Sequence, residues 1–331
     1  MNLVLSDAAI ICEEKEKFIF CTEIKKITLK KNNITNRLVK DLIELKKVNL
    51  DRIGNQKSKL FYEMLYKNRI LIEDYEDIIP DIEKANFNYL LYEKKEAKNL
   101  IDNLKKYKIL IVGMGGIGQS IIQHLAAAGF RQFIIVDYDT VKIENFNRLF
   151  LLDEKHIGIM KIQVVSENLR KVYSDISINE YRVNITNKKM LNDILNMNEK
   201  VEMIICAADY PTNEYIRSLI VQVSLEYKIP CAIAGVGHYF GEVGPILFTQ
   251  NAKVHYLQYL NQCEVNKIYN PILKGSICFT NSVVSVLLAY EVFNYFVQRK
   301  VSIRDKTLVY DFRDGIQCKN QINWDYEVKE K

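Results

Sequence analysis

A chain of 331 residues, 48% of them hydrophobic, can bury a sizeable core and has the length of about two domains. Its 46 Lys and Arg against 41 Asp and Glu leave a net charge of +5, with the basic residues scattered, which argues against a nucleic-acid partner. The apolar run Val283 to Tyr290 is interrupted by Ser285 and followed by Glu291, too short for a bilayer span, so no membrane partner is expected.

The start, Met1 to Asp7, lacks the basic residues and long apolar stretch of a secretory signal, so a cytoplasmic protein is expected. The first segment, residues 1–85, opens with apolar runs at Ala8 to Cys12 and Phe18 to Cys21 around a charged turn, which reads as a hairpin. A short strand follows at Ile27 to Leu29. Thr35 or Asn36 is expected to cap a helix carrying Leu38, Leu42, Ile43 and Leu45 on one face, and a second helix from about Lys57 leads into a strand at Asn68 to Ile72. Strands and helices in that order suggest a small winged-helix-like module. The Lys- and Glu-rich residues 86–106 read as a helical linker.

From residue 107 the pattern changes. Tyr107 to Val112 is a short apolar strand ending on Gly113, and Ser120 to Ala128 is helical, stopped by Gly129. Further strands are predicted at Phe133 to Val136, Met203 to Cys206, Cys231 to Ala234 and Leu308 to Tyr310. Strands alternating with helices predict an α/β fold with a doubly wound, Rossmann-like, mostly parallel sheet.

The chemistry concentrates where the first of these strands ends. Gly113, Gly115 and Gly118 meet the spacing G-x-G-x-x-G, and Gly116 lets a ligand approach the backbone still more closely. Backbone N–H groups and a helix dipole then face a phosphate. Asp137, at the end of the second strand, is placed to grip ribose hydroxyls. A nicotinamide dinucleotide would need no more, and a NAD-dependent oxidoreductase is the simpler alternative. Arg148 and Lys161 point instead to a triphosphate, because cations stabilise the charge that builds as pyrophosphate leaves. Asp209 follows a strand at the carboxyl edge of the sheet and is the expected Mg²⁺ ligand, with Asp139 as a second oxygen donor.

At these residues the chain resembles the adenylating family of ThiF, MoeB and the ubiquitin-activating enzymes, from about Tyr107 to Tyr310. The motifs G-x-G-G-x-G, D-x-D, N-x-x-R and G-x-x-K and a later aspartate occur in order. The resemblance implies Gly115 and Gly116 at the phosphates of ATP, Asp137 at the ribose, Asn145, Arg148 and Lys161 at the triphosphate, and Asp209 at Mg²⁺, in a homodimer. The domain would span 107–331. The runs Ala207 to Asn213, Ala234 to His238 and Gly244 to Ile246 are similar to the MccB-type branch, which adenylates a ribosomally made precursor peptide in microcin maturation. The related PaaA-type enzymes mature pantocin. In that branch a winged-helix-type clamp holds the peptide, implying that role for residues 1–85, where strand addition to a sheet edge would grip the leader.

Two departures accompany the resemblance. The seven cysteines include no C-x-x-C pair, and Val254 to Tyr259 stands where a first pair is expected, so structural zinc is expected to be absent and His255 to be a surface or hydrogen-bonded residue. The arginine-rich segment that reaches the partner's ATP in many relatives is replaced by Asn86 to Leu91, with Lys94 or Lys95 as substitutes. A ubiquitin-like or sulfur-carrier protein is the rival substrate, with Cys263, placed in a loop, as the candidate nucleophile. A peptide-binding scaffold that ignores ATP is a further alternative.

Overall fold

The computed structural model describes residues 1–75, 78–91, 96–266 and 275–326. Met1–Lys98 and Asn99–Lys331 form two compact units. Lys94 and Lys95 lie outside the described residues.

The first unit contains β1 (Asn2–Leu5), β2 (Ile10–Glu13), β3 (Lys17–Cys21), β4 (Lys26–Lys30), α1 (Asn33–Leu45), β5 (Lys47–Asn49), α2 (Gln56–Lys67), β6 (Leu71–Glu73) and α3 (Asp81–Leu91). Two three-stranded antiparallel sheets result, in the orders β5-β1-β6 and β2-β3-β4. Leu3, Phe20, Leu42 and Leu65 are fully buried in their common core. The hairpin and both helices of the sequence reading are present, but the cap of α1 is Asn32 rather than Thr35 or Asn36. Asn32 Oδ1 accepts the N–H groups of Ile34 and Thr35 at 2.9 Å, while Thr35 Oγ1 accepts the Asn32 N–H at 2.9 Å. Thr35 thus completes a reciprocal capping box from inside the helix. Strands β1 and β5 are additions; each is held by pairing across long stretches of chain that no local periodicity reveals. The expected linker helix of residues 86–106 corresponds to the end of α3 and to α4 (Ala97–Leu104).

The second unit continues with β7 (Lys108–Val112), α5 (Gly116–Ala127), β8 (Gln132–Val136), α6 (Lys161–Val172), β9 (Ser177–Tyr181), α7 (Lys188–Met197), β10 (Val201–Cys206), α8 (Asn213–Glu226), β11 (Cys231–Val236), β12 (Phe240–Leu247), α9 (Gln250–Asn266), α10 (Cys278–Phe296), β13 (Lys306–Asp311) and β14 (Gln317–Asn323). One eight-stranded sheet has the order β14-β13-β12-β11-β10-β7-β8-β9. Strands β11, β10, β7, β8 and β9 are parallel, and the three beyond β11 are antiparallel. The Rossmann-like α/β expectation therefore holds, with an antiparallel extension on one side. Strand order reverses at β7, whose neighbours β8 and β10 are reached by connections on opposite sides. Ligands of such sheets bind outside the carboxyl ends at this point. The buried strands β7, β8 and β10 read as apolar runs because both faces are covered. The edge strands β9 and β14 are polar and gave no such signal. No helix of the described residues is long and apolar enough to cross a membrane.

Candidate functional site

The end of β7 and the start of α5 are fixed by three glycines that tolerate no side chain. Gly113 has φ +96°, and a Cβ there would lie 2.6 Å from the backbone of Ala207 and Ala208. At Gly118 a Cβ would overlap the Gly113 carbonyl oxygen. At Gly116 it would meet Asn281 Oδ1 at 2.5 Å and Arg148 Cδ at 3.3 Å. Gly115 differs. It is the N-cap of α5, makes no side-chain cap, and has nothing within 4 Å of its missing Cβ. Free space at this N-cap, at the positive end of the helix dipole, makes a cradle that fits a phosphate. The helix starts four residues earlier than the sequence pattern suggests because glycines replace the usual capping side chain.

Asp137, buried at the end of β8, holds this loop. Its Oδ2 accepts the Met114 N–H at 2.5 Å and its Oδ1 the Asp139 N–H at 2.8 Å. Burial pushes its pKa up, against the pull of the Asp139 and Met114 amides and of Lys161. Lys161 is the first residue of α6 and is buried; its Nζ lies 2.9 Å from Asp139 Oδ2, and its N–H donates to the Asp139 carbonyl at 3.0 Å. Asn145, itself buried, closes a one-turn helix by accepting the Lys142 N–H through Oδ1 at 3.0 Å. That turn aims Arg148, whose Nη1 donates to the Glu144 carbonyl at 3.1 Å and to Asn147 Oδ1 at 2.8 Å.

Asp209 lies three residues beyond β10 and is exposed, forming no hydrogen bond or ion pair among the described residues. Among those residues no group of three or more His, Cys, Asp or Glu could hold a metal ion. Mg²⁺ fits such a site without a preformed cage, since it takes one or two carboxylates together with phosphate oxygens and water. The structure thus joins Asp139 to Lys161, Asp137 to the glycine loop and Arg148 to Gly116, and leaves Asp209 standing apart at the edge of β10.

Three residues were not foreseen. Asn281, on α10, is buried beside Gly116, and its Nδ2 donates to Ser276 Oγ and the Ile277 carbonyl at 2.7 Å each. Its signal is a polar cluster, Thr280 to Ser282, at the start of a largely apolar helix. Arg217, 7% exposed on α8, donates from Nη1 to Glu242 Oε2 at 2.8 Å. Burial opposes its charge, but Tyr256, Glu242 and Cys206 outweigh burial and raise its pKa. Its guanidinium fills the place where a Cβ of Gly235 would sit. Gly235 on β11 pairs with Glu242 on β12, so this ion pair ties the hairpin that turns through His238. An arginine within the apolar run of α8 is the only trace of this in the sequence.

Two earlier expectations take definite form. Cys263 lies within α9, not in a loop. His255 is a buried hydrogen-bonded residue, its Nδ1 2.9 Å from the Trp324 carbonyl oxygen and its ring stacked on Tyr326.

Among curated proteins, the SUMO-activating enzyme subunit 2 of Dictyostelium discoideum is 28% identical over 150 residues, 45% of this chain and 22% of that protein. This chain thus matches less than a quarter of that relative's length. Among solved structures, E. coli MccB with AMPCPP and MccA has a TM-score of 0.74 at 19% identity, covering 98% of this chain and 97% of that one. PaaA has a TM-score of 0.69 at 16% identity, covering 93% and 97%. At these identities the likeness is one of fold. Residues 89–322 match the ThiF family along the very segment that carries the glycine loop, Asp137, Arg148, Lys161 and Asp209, and the chain belongs to that family.

Proposed function

We propose that this protein is an ATP- and Mg²⁺-dependent adenylyltransferase acting on a ribosomally synthesised precursor peptide in the maturation of a peptide antibiotic. The observation that carries the reading is the uncapped start of α5 at Gly115, with the side chain of Arg148 packed over its first turn at Gly116. Phosphates held there would leave the terminal phosphate to Arg148 and Lys161, and Asp209 would hold Mg²⁺ on the side where pyrophosphate departs. An acceptor carboxylate oxygen attacks the α-phosphorus, the bond to the bridging oxygen breaks, and an acyl adenylate and pyrophosphate form. A carboxamide acceptor gives a nitrogen-linked nucleotide by the same displacement with loss of a proton. Activation of an internal Asp or Glu sets up cyclisation or dehydration with loss of AMP.

The peptide acceptor is supported by the likeness to MccB over nearly the whole chain, first unit included. MccB is described as a microcin C7 biosynthetic enzyme and has been solved with ATP and with MccA. In this reading residues 1–85 are a winged-helix-like clamp for the leader, 86–106 a helical linker and 107–331 the adenylating domain, in a cytoplasmic homodimer. The SUMO-activating relative favours a second reading, activation of a ubiquitin-like or sulfur-carrier C-terminus. Incubation with ATP, Mg²⁺ and the small peptides encoded beside the gene, followed by pyrophosphate release and product mass, separates the two. The first reading fails if no such peptide stimulates turnover while a carrier ending in Gly-Gly does.

A further inference from the structure

Two half-exposed tyrosines meet beyond the carboxyl ends of β8 and β10. Tyr138, 40% exposed, follows β8 between Asp137 and Asp139; Tyr210, 50% exposed, follows Asp209 beyond β10. Their ring centroids are 5.8 Å apart with planes inclined by 55°. Strands β8 and β10 flank β7, and neighbouring strands lie about 4.8 Å apart, so their backbones are separated by about 10 Å. The two rings therefore span the end of β7 from opposite sides.

The other two sides of this junction are bonded through backbone. Asp137 accepts the Met114 N–H, tying the β8 exit to the glycine loop. The Ala207 N–H donates to the Val112 carbonyl at 2.8 Å, and the Ala207–Ala208 backbone leaves no room for a Cβ on Gly113, keeping the β10 exit against the same loop. Between the β8 exit and the β10 exit the tyrosine pair makes a side-chain link, joining the residue before Asp139 to the residue after Asp209. Tyr138 lies within electrostatic reach of both carboxylates, as well as of Asp137. Lys161 offsets the charge of Asp139, and the tilted ring contact holds the Asp209 arm beside that of Asp139.

We infer that Tyr138 and Tyr210 form an aromatic strut that sets the distance between the Asp139 and Asp209 arms, and thereby positions the carboxylate at the metal for Mg·ATP. This rests on the ATP reading above. Both are positioning residues, and it is the ring contact rather than either hydroxyl that acts.

The test is a double-mutant cycle in nucleotide affinity, read by isothermal titration calorimetry with ATP in Mg²⁺ and with ATP in EDTA. Tyr138→Ala and Tyr210→Ala should each weaken Mg·ATP binding about 5-fold, and the double variant also by about 5-fold instead of the product of about 25-fold. Tyr138→Phe and Tyr210→Phe, which keep the rings and guard against misfolding, should bind within about 2-fold of wild type. In EDTA the penalty should shrink, because the strut acts through the metal-side arm. Multiplicative losses, unchanged affinities, or a penalty equal with and without Mg²⁺ would each overturn the strut while leaving ATP binding intact. Failure of the unmodified protein to bind ATP would instead overturn the nucleotide reading and the strut with it.

Discussion

Two regions at the carboxyl edge of the sheet are built from different materials. On the glycine-loop side, geometry is carried by backbone: Gly113, Gly116 and Gly118 admit close approach, and Asp137 fastens the loop through main-chain amides. On the β11–β12 side it is carried by long side chains from separate segments, with Arg217 of α8 reaching into the space over Gly235 to hold Glu242. A site made of backbone demands particular residues at fixed intervals and leaves a motif. One made of reaching side chains demands only that two partners meet, and leaves almost none. The nucleotide side should therefore tolerate little change, whereas the opposite side should be separable from it.

The largest expected effect tests that separation. Arg217→Ala breaks a pair whose cation is buried, and should lower unfolding stability by about 3 kcal/mol, at the low end for buried pairs because Glu242 remains 41% exposed. ATP affinity, measured by calorimetry at a temperature where the variant is folded, should stay near wild type; an equal loss would break the comparison. Gly118→Ala should cost about 2–3 kcal/mol in chemical denaturation, because the new methyl group meets a backbone carbonyl, and should abolish nucleotide binding with it. Asp209→Ala should reduce acceptor-dependent pyrophosphate release at least about 100-fold with an unchanged melting temperature, since the residue is exposed. Asn281→Ala should weaken ATP binding about 5-fold by freeing the start of α10 beside Gly116.

The smallest effect is a pH dependence. Burial raises the pKa of Asp137, so its stabilising contribution is complete below the unfolded value of about 3.9 and is lost as pH rises through the folded value. Asp137→Asn removes that titration. The stability difference between variant and wild type, from urea unfolding across pH, should shift in the variant's favour as pH rises; a shift the other way would sharpen the role of its two amide bonds over its burial.

The same contrast explains what the sequence disclosed. Gly113 to Gly118, Asp137, Arg148 and Lys161 were legible because strand, turn and helix fix their spacing along one continuous stretch. The buried strands β7, β8 and β10 were legible as apolar runs, whereas β12, with Gly241, Gly244 and Pro245, lacked a clean pattern although it lies inside the sheet. Asn281, Arg217 and Glu242 come from helices and a strand far along the chain, and their partners are set by packing. Cys263 reads as a loop residue in the sequence because the end of α9 carries polar Asn261, Gln262 and Glu264 around it.

The pairing of Lys161 with Asp139 makes anion capture an exchange rather than an addition. Lys161 already has a carboxylate 2.9 Å away, so a phosphate oxygen arriving at its ammonium competes with a charge supplied by the chain itself. An internal counter-ion of this kind makes the cation a poor trap for stray anions and favours polyphosphates that bring contacts at Gly115 and Arg148 as well. It also means that the gain from neutralising Lys161 is largely spent before any ligand arrives, so selectivity is set by how many partners an anion engages rather than by its charge alone.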